Sequence, residues 1–216
     1  MNLRGRRHAV TPPVILRTLP ALPWTGAWQA VGMDSTAAPQ AGESPFAPPL
    51  PGNPHRHLGP RDPGDAWVEG DRGRFWGRFG SAGLLVHDAA KGILLQHRAL
   101  WSHQGGTWGL PGGALHQGEE AIHGALREAR EEAAVPPENV RVLFTSVFDI
   151  GYWSYTTVVA ETLRPFEAAI SDPESLELQW VGIDAVGSKE LHPGFAAAWP
   201  GLRSRLTEAR RNSGQA

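Results

Sequence analysis

Short apolar runs separated by turn residues occupy the chain after about residue 73, and their spacing predicts the order of its secondary structure. Two runs, over 83–87 and 93–98, flank the glycine-containing turn DAAKG and predict a β-hairpin. A short extended segment is predicted at 108–110. Later runs predict strands over 140–148, 155–160 and 177–181.

The stretch between Gly112 and Val135 predicts a Gly-Gly turn followed by one helix. Its apolar residues recur at helical spacing and predict the face that docks on a sheet: Ile122, Ala125, Leu126, Ala129 and Ala133. A last helix is predicted over 194–211, and Pro200-Gly201 either splits it or marks its start. The order of strands, helix, strands and helix favours an α/β fold with a mixed sheet between helices.

The first third of the chain has a different composition. Residues 1–72 are rich in proline, glycine, serine and alanine, and they show neither a helical nor a strand period. A segment of this kind buries too little apolar surface to offset the entropy that ordering costs. We therefore predict a disordered tail over 1–72 and one folded domain over 73–212.

Composition and charge narrow the class of protein. The chain has 216 residues, no cysteine and a formal net charge of −2 at pH 7, which excludes disulfide bonds and gives no reason to expect binding to nucleic acid or a membrane. The basic N-terminus precedes an apolar stretch that prolines interrupt, so it lacks the continuous core of a signal peptide. No run approaches the roughly 18 apolar residues of a membrane helix. We predict a cytoplasmic protein; its oligomeric state is left open, with a homodimer as one option.

Three glutamates, Glu128, Glu131 and Glu132, lie in the last turns of the predicted helix at i, i+3 and i+4. Residues at these spacings project from one helix face, where like charges repel one another. A divalent cation would offset this repulsion, and an all-oxygen ligand set suits Mg²⁺ or Mn²⁺. The alternative is a solvated charged face. It explains the charges but not their clustering at one helix end after a Pro-Gly-Gly sequence, so we favour a metal site.

The spacing around these glutamates resembles the motif of the Nudix family, G-x5-E-x7-R-E-U-x-E-E-x-G-U, in which U is a bulky aliphatic residue. Gly113, Glu119 and the run from Arg127 to Val135 supply the leading glycine and all the charged positions. Two positions depart from the motif: Ala129 stands at an aliphatic position, and Ala134 replaces the glycine near the helix end. A glycine there would form a left-handed cap, which costs alanine about 1 kcal/mol.

The resemblance implies the fold and the metal ligands. It implies an α/β/α sandwich, and it implies that the three glutamates act in catalysis by binding Mg²⁺ or Mn²⁺ with the backbone carbonyl of Gly112. Arg127 is expected to reach back to Glu119, in the first helical turn, and to brace the helix. Family members often recruit one more carboxylate from a loop across the cleft. Glu174 is the first candidate and Glu177 the second, with an ordinary acidic loop as the alternative.

Further side chains are candidates for binding substrate. Arg98 resembles the position at which related triphosphate hydrolases hold a phosphate, and a guanidinium suits bidentate binding; a surface arginine is the alternative. Tyr152 and Trp153 lie in a loop and are candidates to stack on a nucleobase, or else they pack as ordinary edge aromatics. Three nearby histidines are either proton donors or ordinary polar residues: His97, His103 and His116.

The leading hypothesis is a Mg²⁺-dependent pyrophosphohydrolase similar to the MutT-type members of the family. It would cleave a nucleoside triphosphate, an oxidised deoxynucleotide being one option, into the monophosphate and pyrophosphate. The alternatives are hydrolysis of a dinucleoside polyphosphate or of ADP-ribose, and a Nudix module that binds a nucleotide without turnover. The intact glutamates favour an enzyme, because a pure binder has no need of them all. A nucleotide is the expected partner in each case.

Overall fold

The computed structural model of the protein describes residues 62–213, in which a mixed β-sheet lies between two helices. Residues 1–61 of the predicted tail lie outside the described residues. The strands are β1 (Trp67–Gly70), β2 (Gly73–Trp76), β3 (Ser81–Asp88), β4 (Gly92–Arg98), β5 (Trp108–Gly109), β6 (Gly112–Ala114), β7 (Val140–Asp149), β8 (Ser154–Thr162) and β9 (Ser175–Val181). The helices are α1 (Ala121–Ala133) and α2 (Pro193–Ser213), with short 3₁₀ helices at Pro137–Asn139 and Val186–Ser188.

The larger sheet has the strand order β5-β4-β3-β8-β7, with β6 paired to β3 and β9 paired to β4. Strands β3 and β8 run parallel, with Ser81 opposite Tyr155 and His87 opposite Glu161, whereas the other pairs of this sheet are antiparallel. A parallel pair needs a long crossover connection, and α1 lies within the one that joins β3 to β8. The mixed sheet predicted from the sequence is therefore confirmed.

Each face of the sheet carries one helix. Successive residues of β3 point to opposite faces, so Leu84 belongs to the core under α1 and Leu85 to the core under α2. The first core includes Val86, Leu94, Val158, Ala125, Ala129 and Ala133. The second core includes Leu95, Val159, Phe195, Trp199, Leu202 and Leu206. This layering is the α/β/α sandwich that the family resemblance implied.

Helix α1 docks on the sheet through the apolar stripe that the sequence predicted. Ala125, Ala129 and Ala133 are wholly buried, and Ile122 and Leu126 pack against them at the margin. The other side of the same turns carries the charged residues, so docking of the stripe fixes where the glutamates lie.

The end of α1 has the backbone geometry that the family motif assigns to glycine. Ala134 follows the helix with φ 52° and ψ 31°, in the left-handed region. Its amide donates to the carbonyl of Arg130 at 3.1 Å, and the amide of Val135 donates to the carbonyl of Ala129 at 3.2 Å. The left-handed cap is therefore present although an alanine occupies it, and the side chain makes that conformation costly.

An additional hairpin, which the sequence did not predict, precedes the main sheet. Strands β1 and β2 pair antiparallel around a two-residue turn at Asp71 and Arg72. Strand β1 lies before the expected boundary between residues 72 and 73, so the described fold includes part of the predicted tail. Each strand has only four residues, which is too short to show a period.

Two local predictions were wrong. Helix α2 begins at Pro193, where a missing amide costs nothing, and runs through Pro200 without a break. Gly112 and Gly113 form strand β6 rather than a turn, because β3 and β4 pair only near their connecting turn and leave the β3 edge free for β6. Among residues 62–213, no helix is long and apolar enough to cross a membrane.

Replacing Ala134 by glycine is expected to stabilise the protein. The substitution removes the cost of a Cβ in the left-handed region, so the free energy of unfolding should rise by about 1 kcal/mol in urea denaturation. The matched control is Ala133→Gly, one residue earlier and helical, which should lower the free energy of unfolding. A loss of stability in Ala134→Gly similar to that of the control would contradict the assigned strain.

Candidate active site

The guanidinium of Arg127 connects α1 to the loop before it. Its Nε and Nη2 donate to the two carboxylate oxygens of Glu119, each at 2.9 Å, and Nη2 also donates to the carbonyl of Ala114 at 3.0 Å. Its Nη1 donates to Glu128 at 2.7 Å and to Glu131 at 3.3 Å. The hydrogen bonds from Arg127 lower the pKa of Glu119 to about 2. The brace expected from the sequence is therefore present.

Glu119 itself lies in the loop before α1 and not in the first turn of the helix, which begins at Ala121. Gly118, with φ 76°, turns the chain immediately before it. One oxygen of Glu119 also accepts the amide of His116 at 2.9 Å. Glu119 thus ties its own loop together and anchors that loop to the helix through Arg127.

Beside β6, Glu132 is buried and Glu128 is partly buried. Glu132 is 6% exposed, and its Oε2 accepts the amide of Gly112 at 2.8 Å. The carboxylate of Glu128 lies so close to Gly113 that a Cβ there would sit 2.7 Å from it. Burial raises the pKa of Glu128 to about 7 and raises that of Glu132 well above its ordinary range. The protein's own groups therefore balance the charge of these two carboxylates only in part.

Glu131 occupies a different environment from its two neighbours. Its side chain is 59% exposed, and it contacts Arg127 at 3.3 Å. The spacing predicted three carboxylates on one face, but β6 covers only the side of the helix that carries Glu128 and Glu132. The role of Glu131 as a metal ligand stays a prediction.

The loop before β9 brings two more carboxylates to Glu132. One oxygen from each of Glu132, Asp172 and Glu174 lies within 4.8 Å of the other two. Asp172 also accepts the backbone amide of Glu174 at 2.5 Å. Glu177, the second candidate from the sequence, is exposed on β9 opposite His97 and lies outside this group.

Hydrogen bonds hold this acidic loop on two sides. Two backbone bonds join it to the end of α1, from Ala169 to Ala133 and from Ser171 to Glu132, each 3.2 Å long. On the side of β4, the amide of Ala99 donates to the carbonyl of Glu174 at 2.8 Å, and the buried amide of Gln96 donates to Ser175 Oγ at 2.8 Å. The loop carboxylates are therefore held in place beside Glu132.

The donor set fits a hard divalent cation. Its members are carboxylate oxygens, which Mg²⁺ and Mn²⁺ prefer in proteins. The charges of Glu128 and Glu174 both add to the raised pKa of Glu132, and a cation would offset that repulsion. At Gly112, a Cβ would lie 2.4 Å from the carbonyl of Ala82, so only glycine lets the chain pass here. The use of the Gly112 carbonyl as a ligand stays a prediction.

Arg98 lies beside the acidic group, at a bulge where β4 ends against β9. Its Nε donates to the carbonyl of His103 at 3.1 Å. Burial, aided by the charge of Arg98, lowers the pKa of His103 and lowers that of His192 to about 4. Burial also raises the pKa of Tyr155 to about 12, so its phenol keeps its proton. The positive charge of Arg98 also acts on Glu132, where it opposes the rise in pKa that burial causes.

The structure places Tyr152 and Trp153 against the β1–β2 hairpin. Trp153 stacks on Phe75 with ring centroids 4.5 Å apart and donates its indole N–H to the carbonyl of Trp76 at 2.9 Å. The Tyr152 hydroxyl donates to the carbonyl of Gly73 at 3.1 Å. These contacts agree with the packing alternative, and stacking of either ring on a substrate stays a prediction.

Sequence reasoning missed three residues near the site, namely Asp65, Asp172 and His192. Asp172 had a signal, because it lies in the same acidic segment as Glu174. Asp65, whose charge helps to raise the pKa of Glu128, had none, since the hairpin that it precedes was not predicted. Of the three histidine candidates, the structure places His103 beside Arg98. The ring of His97 stacks on Trp108, and Nε2 of His116 lies 3.7 Å from the carboxylate of Asp62.

Residues 77–201 match the family model of the NUDIX domain. A Mycobacterium tuberculosis protein named "Putative 8-oxo-dGTP diphosphatase 3" is 47% identical over 155 residues, which cover 67% of this chain and 71% of that protein. A "Nucleoside triphosphate pyrophosphatase/Nudix hydrolase fusion protein" of Bifidobacterium longum is 39% identical over 194 residues, covering 86% of this chain and 39% of that protein.

A solved structure agrees with these relatives. The crystal structure of a Nudix hydrolase from M. smegmatis, RenU, matches with a TM-score of 0.62 and 46% sequence identity. The match covers 67% of this chain and 96% of that chain. The layered fold and the sequence motif therefore point to the same family.

Burial of Glu128 predicts a defined pH dependence of stability in a buffer that contains a metal chelator. Its pKa of about 7 in the folded protein exceeds the ordinary 4.5, so the folded state binds more protons between these values and stability falls as pH rises from about 4.5 to about 7. Glu128→Gln removes this titration and should be more stable than the parent at pH 8 by about 1–3 kcal/mol.

Urea unfolding between pH 5 and pH 8 measures the difference in the free energy of unfolding between the parent and Glu128→Gln. The matched control is Glu138→Gln, which alters an exposed carboxylate just beyond the same helix and should keep the parental pH dependence. Parallel stability curves for the parent and Glu128→Gln would contradict the raised pKa.

Proposed function

This chain belongs to the Nudix hydrolase family, and we propose that it is a Mg²⁺- or Mn²⁺-dependent pyrophosphohydrolase of a nucleoside triphosphate. One water molecule is consumed, one phosphoanhydride bond is cleaved, and the products are the nucleoside monophosphate and pyrophosphate. The name of the M. tuberculosis relative makes 8-oxo-dGTP the first substrate to test.

The convergence of carboxylates at Glu132 carries this proposal. Carboxylates from α1 and from the loop before β9 meet there, partly or wholly out of water. Such a group is costly unless positive charge balances it. Mg²⁺ is typically held by a few carboxylates together with the phosphates of a substrate, so a metal–polyphosphate complex suits this surface in charge and in donor type.

The residues of the chain set the geometry around that complex. A divalent cation, when bound, would neutralise phosphate charge and lower the pKa of a water molecule. The Gly112 amide orients Glu132, and Arg127 holds Glu128 in place while its other nitrogens bind Glu119. Arg98, at the end of β4, has the planar fork that binds phosphate oxygens in pairs.

Glu132→Gln tests the catalytic assignment. Glutamine keeps the shape and the acceptor for the Gly112 amide but removes the charge, so kcat for pyrophosphate release should fall by about 100-fold or more. The midpoint of thermal unfolding should equal or exceed that of the parent, because a buried charge is lost. The matched control is Glu177→Gln, an exposed position that should keep parental turnover. Turnover of Glu132→Gln within a few-fold of the parent would contradict the assignment.

A substrate panel tests the class of reaction. Nucleoside and deoxynucleoside triphosphates, 8-oxo-dGTP, ADP-ribose and diadenosine polyphosphates would be incubated with Mg²⁺ or Mn²⁺ and the products identified. We expect a triphosphate to be the best substrate, with pyrophosphate released. Preferred cleavage of ADP-ribose or of a dinucleoside polyphosphate would contradict the substrate class. Nucleotide binding without any hydrolysis would instead indicate a binding module.

A further inference from the structure

The β1–β2 hairpin precedes residues 77–201, the part of the chain that matches the family model. It nevertheless contacts the loop that follows β4, and Arg98 donates a hydrogen bond to that same loop. The indole of Trp67 meets the imidazole of His103 edge-on, with ring centroids 5.2 Å apart. His103 in turn supplies the carbonyl that accepts from Arg98 at 3.1 Å. A continuous set of contacts therefore leads from the hairpin to Arg98.

Trp67 also holds the guanidinium of Arg74. The Cζ atom of Arg74 lies 4.5 Å from the centroid of the indole, a cation–π contact, and its Nε lies 3.4 Å from Glu69. Trp76 packs edge-on against Trp67 at 5.3 Å and keeps the indole in place. The Arg74 side chain is 50% exposed, and a guanidinium has five N–H donors, so it retains donors for a ligand.

Two permanent positive charges therefore lie near His103. The charges of Arg98 and Arg74 both add to the burial that lowers the pKa of the His103 imidazole. The ring of His192 lies 6.3 Å from that of His103, and its pKa of about 4 keeps it neutral at pH 7. Among residues 62–213, Arg98 forms no salt bridge. Two like charges that act on one ring favour an anion close to them.

We propose that Arg74 joins Arg98, to which the family resemblance already assigns phosphate binding, in a two-arginine site for the phosphate groups of the substrate, and that Trp67 positions Arg74. The choice of ligand rests on the proposed function, since the phosphates are those of the nucleotide. The planar guanidinium suits this role because it binds phosphate oxygens in pairs. The hairpin is then a part of the substrate-binding surface and not only a packing extension.

Arg74→Ala tests the site with inorganic tripolyphosphate, which offers the phosphates without base or sugar. In calorimetric titrations with Mg²⁺, the Kd for tripolyphosphate should rise about tenfold, as expected for the loss of one charge-assisted hydrogen bond. The matched control is Arg78→Ala, because Arg78 is also exposed and its guanidinium lies over Phe79 at 5.9 Å. The control should keep the parental Kd. Equal Kd values for the parent and Arg74→Ala would overturn the proposal.

Two substitutions of Trp67 test the positioning role. Phenylalanine keeps an aromatic face for Arg74, so Trp67→Phe should keep the Kd within about twofold of the parent. Trp67→Leu removes that face and should approach the Kd of Arg74→Ala. A parental Kd in a folded Trp67→Leu protein would contradict the positioning role. If the leucine variant does not fold, Arg74→Ala still tests the two-arginine site, because it alters an exposed side chain and leaves Trp67 in place.

Binding and turnover separate this site from the proposed function. If the parent binds tripolyphosphate, Arg74→Ala weakens that binding and the parent hydrolyses no nucleotide, the two-arginine site stands and the proposed function fails. If the parent hydrolyses a triphosphate while Arg74→Ala keeps the parental Kd and KM, the proposed function stands and the two-arginine site fails. If both stand, Arg74→Ala should raise KM about tenfold with a smaller change in kcat, because Arg74 binds phosphate away from the carboxylates.

Discussion

Helix α1 holds the carboxylate of Glu132 out of water and that of Glu128 partly so, and the charges of the protein balance only part of that cost. A buried carboxylate needs hydrogen bonds, a counter-charge or a proton. Glu119, with both oxygens on Arg127, has its pKa lowered to about 2. Glu128 shares the same guanidinium, yet burial raises its pKa to about 7, and the pKa of Glu132 is also raised well above its ordinary range. Glu128 and Glu132 therefore hold a proton more tightly than Glu119 does, unless further positive charge reaches them.

The rest of the fold brings further oxygen donors to this point. The parallel pairing of β3 with β8 places α1 in the crossover, and the apolar stripe of α1 sets its charged turns beside β6. Backbone bonds from the loop before β9 to the end of α1 hold Asp172 and Glu174 near Glu132. The end of β4 and the β1–β2 hairpin supply Arg98 and Arg74. We propose that the carboxylates bind a divalent cation and that the arginines bind the phosphates complexed with it.

The local parts of the site could be predicted because they depend on residues close together in the chain. The docking face of α1 and the pairing of Arg127 with Glu119 follow from spacing within one helix and the loop before it, whereas the left-handed cap at Ala134 was implied only by the position of glycine in the family motif. Depth of burial does not follow from spacing. The exposure of Glu131 and the arrival of Asp172 depend on β6 and on a loop about 40 residues away, which helical periodicity does not report. The β1–β2 hairpin was not predicted because its strands are short and pack against the distant loop that carries Tyr152 and Trp153.

The central claim is that a divalent cation binds to the carboxylates of Glu128 and Glu132. It is tested most directly by counting the protons released when the cation binds. Carboxylates must lose their protons to ligate a metal. Calorimetric titration of the parent with Mn²⁺ at pH 6, repeated in buffers of different ionisation enthalpy, should show the release of about one proton or more per protein molecule, and Glu128→Gln should release fewer. Binding without proton release, or no binding at millimolar Mn²⁺, would contradict the account.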